Sequence, residues 1–137
     1  MSKEVNYFGS CHCGAVKWSV KAPEAIEAII CNCSVCTKKQ NHHFIVSSEN
    51  FSVLQGESDL VNYRFNEKVA QHKFCKHCGV QSFYHPRSNP DSIAVMPHCI
   101  DSPPIKKLTF RNFDGQNWET EMQKHAPVAY KFEKNDE

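Results

Sequence analysis

No stretch of this chain approaches the ~18 consecutive apolar residues that a membrane-spanning helix needs, so no span is expected. No positively charged start leads into an apolar run, which argues against a secretory signal peptide. Charge of one sign is missing as well. The 16 lysines and arginines face 15 acidic residues, for a net charge of +1. That balance lacks the basic surplus of a typical nucleic-acid module. Three metal-site signatures are also absent. The chain has no His-x-x-x-His pair with an adjacent glutamate, which a metalloprotease needs. It has no His-x-Glu of a nucleobase deaminase and no finger spacing of two cysteines followed by two histidines.

Cysteine, by contrast, is plentiful. Eight are far more than the core of a 137-residue chain requires, because a chain of this size buries roughly 68–70% of its unfolded surface without staples. They fall as Cys11-His12-Cys13, Cys31-Asn32-Cys33-Ser34-Val35-Cys36 and Cys75-Lys76-His77-Cys78, with Cys99 left over. An intracellular setting, cytoplasmic or nuclear, is expected from the missing export signal. Clustered thiols there stay reduced and bind metal. The even count also allows a disulfide framework, but tight pairs suit a shared ion better than scattered bridges.

Counting ligands divides the thiols. Two pairs complete one tetrahedral zinc site, and a complete site is structural. A triplet supplies three ligands and leaves one position open for chemistry. Gly14 and Gly79 follow the outer pairs, as expected of metal knuckles that turn through positive φ and aim backbone N–H groups at sulfur. Cys11, Cys13, Cys75 and Cys78 are therefore expected to share one ion. A competing arrangement joins Cys11 and Cys13 to part of the triplet. It leaves Cys36, Cys75, Cys78 and Cys99 as a second closed site, and spacing alone keeps both arrangements open.

Hydrophobic residues alternate in short runs, which predicts strands. Val16, Trp18 and Val20 should face one way, with Lys17, Ser19 and Lys21 opposite. Further strands are expected over 26–30, 43–47, 51–55, 60–65, 69–74, 80–84, 93–96 and 108–110, with Asn66-Glu67-Lys68 as a hairpin turn. Tyr63, Phe65, Phe74, Phe83 and Tyr84 fall on these runs and are expected in the core. Ser34 is expected to cap a short helix through Gln40, with Cys36 in its first turn. A second helix is expected from Trp118 to His125, capped by Asn117 and stopped by Pro127. The sum is one mainly antiparallel β domain over residues 1–132 with one or two short helices, followed by a frayed charged tail over 133–137.

Taken together, three ordered motifs resemble the glutathione-dependent formaldehyde-activating enzyme family. They are Gly9-Ser10-Cys11-His12-Cys13-Gly14-Ala15-Val16, the thiol triplet, and Phe74-Cys75-Lys76-His77-Cys78-Gly79 with Phe83-Tyr84 after it. The wording is closest to the eukaryotic branch that includes centromere protein V, through Lys38-Lys39-Gln40-Asn41, His43-Phe44-Ile45-Val46, Gln81-Ser82-Phe83-Tyr84, Pro86-Arg87-Ser88-Asn89-Pro90 and Pro97-His98-Cys99. The basic, proline-rich N-terminal extension of that protein has no counterpart here, which argues against a chromatin or microtubule role. The resemblance implies a β-tent of short antiparallel sheets and two zinc ions. Cys11, Cys13, Cys75 and Cys78 would be structural ligands, and Cys31, Cys33 and Cys36 would hold the active-site ion. The implied activity joins formaldehyde to glutathione, a carbon–sulfur lyase reaction, so the implied partners are glutathione or a related small thiol and an aldehyde.

Simple valence agrees with a thiol substrate. Three thiolates leave a Zn²⁺ site with about one net negative charge, so it activates water poorly but suits a soft sulfur ligand. Cys33, in the middle of the triplet, is the ligand expected to move aside for substrate. Lys38, Lys39 and Arg87 are candidates for the carboxylates of glutathione, although each alone reads as a solvated surface charge. His98 is either a proton-transfer group or a packed strand end. His42 and His43 read as structural, and Asn32 and Ser34 as shaping the triplet loop. Two other readings remain: a non-catalytic zinc module with a protein or RNA partner, and a carrier that binds glutathione without turnover.

Overall fold

The computed structural model describes residues 4–64, 70–89 and 91–132. Alternation after Gly14 produces the first long strand pair. Trp18, Val20 and Ala22 are buried, while Lys17 is exposed and Ser19 and Lys21 are half-buried. These residues lie in β2 (Lys17–Pro23), which pairs antiparallel with β1 (Glu4–Ser10) along its whole length. The chain continues through β3 (Ala25–Cys31), β4 (His42–Ser47), β5 (Phe51–Gln55), β6 (Leu60–Tyr63) and β7 (His72–Cys75). Four further strands follow: β8 (Phe83–Tyr84), β9 (Ser92–Val95), β10 (Ile100–Ser102) and β11 (Lys107–Phe113). Two short helices, α1 (Ser34–Lys39) and α2 (Trp118–His125), complete a mainly β fold.

The strands form three short sheets. Their orders are β10-β1-β2-β5, β11-β3-β4-β9-β8, and the pair β6-β7. The core lies between the two larger sheets. Trp18, Tyr7, Phe44, Ile26 and Ile45 are among its largest fully buried side chains. Trp18 Nε1 donates to Ser82 Oγ at 2.9 Å, so the one polar atom of this ring is satisfied inside the core.

One pairing departs from the antiparallel pattern and organises the site. β11 runs parallel to β3, with Phe113 opposite Cys31. Both strands therefore end at the same level. The thiol triplet leaves one end, and the turn Gly115–Asn117 leaves the other.

Several expectations need correction. Ser34 does not cap α1; the N-cap is Cys33, in extended backbone, and Ser34 is the first helical residue. The sulfur cluster pins Cys33 where a capping side chain would stand. Tyr63 is 48% exposed because β6 pairs only with β7, outside the main core. Phe74 is half-buried, whereas Phe83 and Tyr84 are core as expected. The antiparallel β6–β7 pair matches the expected hairpin, with Leu60 opposite Cys75. Its turn Asn66-Glu67-Lys68, Phe65 and the tail over 133–137 lie outside the described residues.

Candidate functional site

The four outer thiols meet although 62 residues separate Cys13 from Cys75. The Cys11–Cys13 and Cys13–Cys75 sulfur separations are both 3.7 Å, and all four sulfurs lie within 4.8 Å of one another. A tetrahedral ion with ~2.3 Å metal–sulfur bonds sets its ligands about 3.8 Å apart, so this set fits zinc. The knuckles have the expected build. Gly14 has φ 81° and Gly79 φ 74°, and the N–H of each donates to the carbonyl of its leading cysteine, Cys11 or Cys75. The Val16 N–H points at Cys11 Sγ at 3.3 Å, and the His77 N–H at Cys75 Sγ at 3.4 Å. Such donors favour thiolates.

Cys31, Cys33 and Cys36 form a second group, also with sulfurs within 4.8 Å. The competing arrangement that split the triplet is thereby overturned, and Cys99 belongs to neither group. Hydrogen bonds from the Cys31 thiol and then the Cys36 thiol pull the Cys33 thiol down to about 2. The Cys33 contact in turn pushes Cys31 up to about 11. Cys36 is pushed up by Cys31 and then by Cys33. Mutual hydrogen bonding thus favours the thiolate at Cys33, and a thiolate among three sulfurs suits a soft cation.

The triplet differs from the four-thiol group in what faces it. It forms one end of a cavity of about 430 Å³, and none of the four outer thiols lines that cavity. The volume suits a small-molecule ligand. One wall is His43, His72 and Tyr84. Burial pushes His43 down to about 4, so it is neutral at pH 7. With His43 Nδ1–H donating to the Asn41 carbonyl at 3.0 Å, Nε2 is left to accept from the Tyr84 hydroxyl at 3.2 Å. His72 stacks on Tyr84 with 4.9 Å between ring centroids, and burial pushes it down to about 4 as well.

A second wall brings together Arg87 and Ser88 with Gly115, Gln116, Trp118 and Pro127. The Arg87 guanidinium lies 3.7 Å from the Trp118 ring centre. Asn32 joins the triplet loop to this wall. Its Nδ2 donates to Asp114 Oδ1 at 3.0 Å, and its Oδ1 accepts from the Gln116 N–H at 3.0 Å. Asn32 therefore shapes the loop, as the sequence indicated.

Of the three candidate cations, Arg87 lines the cavity, whereas Lys38 and Lys39 do not. Both lysines are exposed at the end of α1, and the Lys39 ammonium sits 5.2 Å from the Phe74 ring centre. His98 is exposed in the turn Pro97–Cys99, away from the cavity wall. Sequence reasoning did not single out His72, Gly115, Gln116 or Trp118 as site residues, and it assigned Tyr84 to the core alone. The one local signal was Gly115 in the polar turn after β11.

Among the described residues, no helix is long and apolar enough to cross a membrane. The fold resembles the crystal structure of a Rhodobacter sphaeroides protein, a structural-genomics target, with a TM-score of 0.67 and 27% sequence identity. That similarity covers 76% of this chain and 99% of the other. The sequence model of the glutathione-dependent formaldehyde-activating enzymes matches residues 6–114. With both thiol groups inside that match, this chain belongs to the glutathione-dependent formaldehyde-activating enzyme family.

Proposed function

We propose that this chain is a zinc-dependent enzyme of the carbon–sulfur lyase type, acting on a glutathione–aldehyde adduct in the manner of an S-hydroxymethylglutathione synthase. The observation that carries this reading is the asymmetry between the thiol groups. Four sulfurs close around one point, while three face a cavity. In this reading Cys11, Cys13, Cys75 and Cys78 hold a structural zinc, and Cys31, Cys33 and Cys36 hold the active-site zinc. An ion held by three thiolates supplies a soft Lewis acid with one position left for a substrate atom. In the net reaction a carbon–sulfur bond forms between thiol and aldehyde, and the thiol proton ends on the former carbonyl oxygen.

The residues of the chain do the rest. Burial holds His43 and His72 neutral, so the wall they form with Tyr84 adds no charge, and Phe113 and Ile29 add apolar surface to the lining. Arg87 is the cation that lines the cavity for a carboxylate, whereas Lys38 and Lys39 stand outside the lining. In this reading the chain is of the centromere protein V branch, which the segments quoted above support. All eight cysteines are free thiols, which suits a reducing compartment, cytoplasmic or nuclear.

The test is the rate of S-hydroxymethylglutathione formation, followed by NMR with ¹³C-formaldehyde and the zinc-loaded protein. Acceleration over the uncatalysed rate, with a loss of roughly 100-fold or more in Cys31→Ser, is expected. Glutathione binding without acceleration would favour the carrier reading, and neither would favour a non-catalytic module.

A further inference from the structure

The family match stops at Asp114, yet one wall of the cavity is built after it. Two contacts bind the later segment to the triplet, and the strand before it delivers it there. Parallel pairing sets Phe113 beside Cys31. The Gln116 side-chain amide donates to the Asn32 carbonyl at 3.2 Å, alongside the two bonds already described. Gly115 approaches so closely that a Cβ there would lie 2.5 Å from Cys31 Sγ. The later residues are therefore part of the site.

Trp118 opens α2, and the Arg87 guanidinium carbon sits over its ring, 3.7 Å from the centroid. A guanidinium stacked on an indole uses its face and keeps its in-plane N–H donors for another partner. Among the described residues Arg87 has no carboxylate partner, and the cavity lining contains no aspartate or glutamate. It also contains no second lysine or arginine. Among the described residues, a guanidinium with no carboxylate partner therefore sits in one wall of a cavity whose thiol end suits sulfur.

We propose that Arg87, held on Trp118, is a carboxylate subsite that selects an anionic thiol over a neutral one, and that the segment after Asp114 sets this specificity. The proposal rests on the thiol-substrate reading above. A fork of in-plane donors matches a carboxylate in a bidentate pair, which a lysine cannot reproduce. Trp118 is a positioning residue that fixes the plane of the fork.

The experiment compares glutathione with its diethyl ester. Binding to the cobalt-substituted protein is measured by calorimetry and by the sulfur-to-cobalt absorption band. Arg87→Gln is expected to weaken glutathione binding roughly 10- to 100-fold and to leave the ester within about twofold. Trp118→Leu should show part of the same selective loss, Trp118→Phe should recover most of it, and Lys107→Gln should change neither ligand. Should Arg87→Gln fail to fold, Arg87→Lys carries the same comparison, with a lowered ratio of acid to ester affinity. Equal losses for acid and ester, or unchanged glutathione binding in Arg87→Gln, would overturn the subsite and leave the thiol reading standing. A wild-type protein whose cobalt spectrum responds to no thiol at all would overturn both.

Discussion

His43 shows what a single buried side chain contributes. It is 4% exposed, its Nδ1–H is committed to a backbone carbonyl, and burial holds it neutral down to about pH 4. An unfolded chain takes up the same proton near the ordinary value of about 6.5. Between those values the unfolded state binds more protons, so stability falls as pH drops from about 6.5 towards 4 and is unaffected above that window. By pH 5 this single group should remove about 2 kcal/mol. Urea unfolding at pH 7 and pH 5 checks it, because His43→Gln should lose less stability than wild type over that interval. Acid loss of metal is common to both proteins, so equal losses would contradict the assignment. The same residue marks a limit of sequence reading. His43 was legible as structural, but its place beside Tyr84, 41 residues on, depends on β4 and β8 both pairing with β9.

At the scale of elements, local pattern and chain path divide the result. Phe51–Gln55 and Trp118–His125 have the bounds the sequence predicts, because alternation and capping are local. The cap residue Asn117 is also as expected, although its side chain donates to Asp114 instead of binding the helix. β1 and β10 were not legible. In β1 the alternation begun by Val5 and Tyr7 is masked by exposed Phe8 and by Gly9, and β10 has three residues with only Ile100 half-buried, so neither gives a clear apolar signal. The parallel β11–β3 pair was hidden for another reason. Nothing in the spacing links residue 113 to residue 31, yet this pair brings Gly115 and Trp118 to the thiols. Gly115→Ala tests that docking. Its Cβ would meet both Cys31 Sγ and Cys33 Cβ, so overpacking should weaken metal binding at the triplet by roughly 1–3 kcal/mol. Chelator competition should then release one zinc early and the other at the wild-type rate. Loss of both ions together would contradict a local effect.

At the scale of the whole molecule, the two thiol groups divide folding from chemistry. The four-thiol group joins the β1–β2 connection to the end of β7, so its ion would contribute its binding free energy to folding. The triplet joins the ends of two parallel strands and faces open volume. Ligand types and tight spacing made the thiol clusters readable from the sequence, but only the fold, by bringing Cys75 to Cys13, decided which of them share an ion; positive φ at Gly14 and Gly79 followed from the knuckles.

X-ray absorption at the zinc edge of the reduced, fully loaded protein measures this division directly. Seven clustered thiols on two ions predict about 3.5 sulfur ligands per zinc, rising to about 4 when glutathione takes the open position with Cys33 still bound, the arrangement this account adopts over one in which Cys33 moves aside. A sulfur count that glutathione leaves unchanged, with four protein donors already on each ion, would contradict the account.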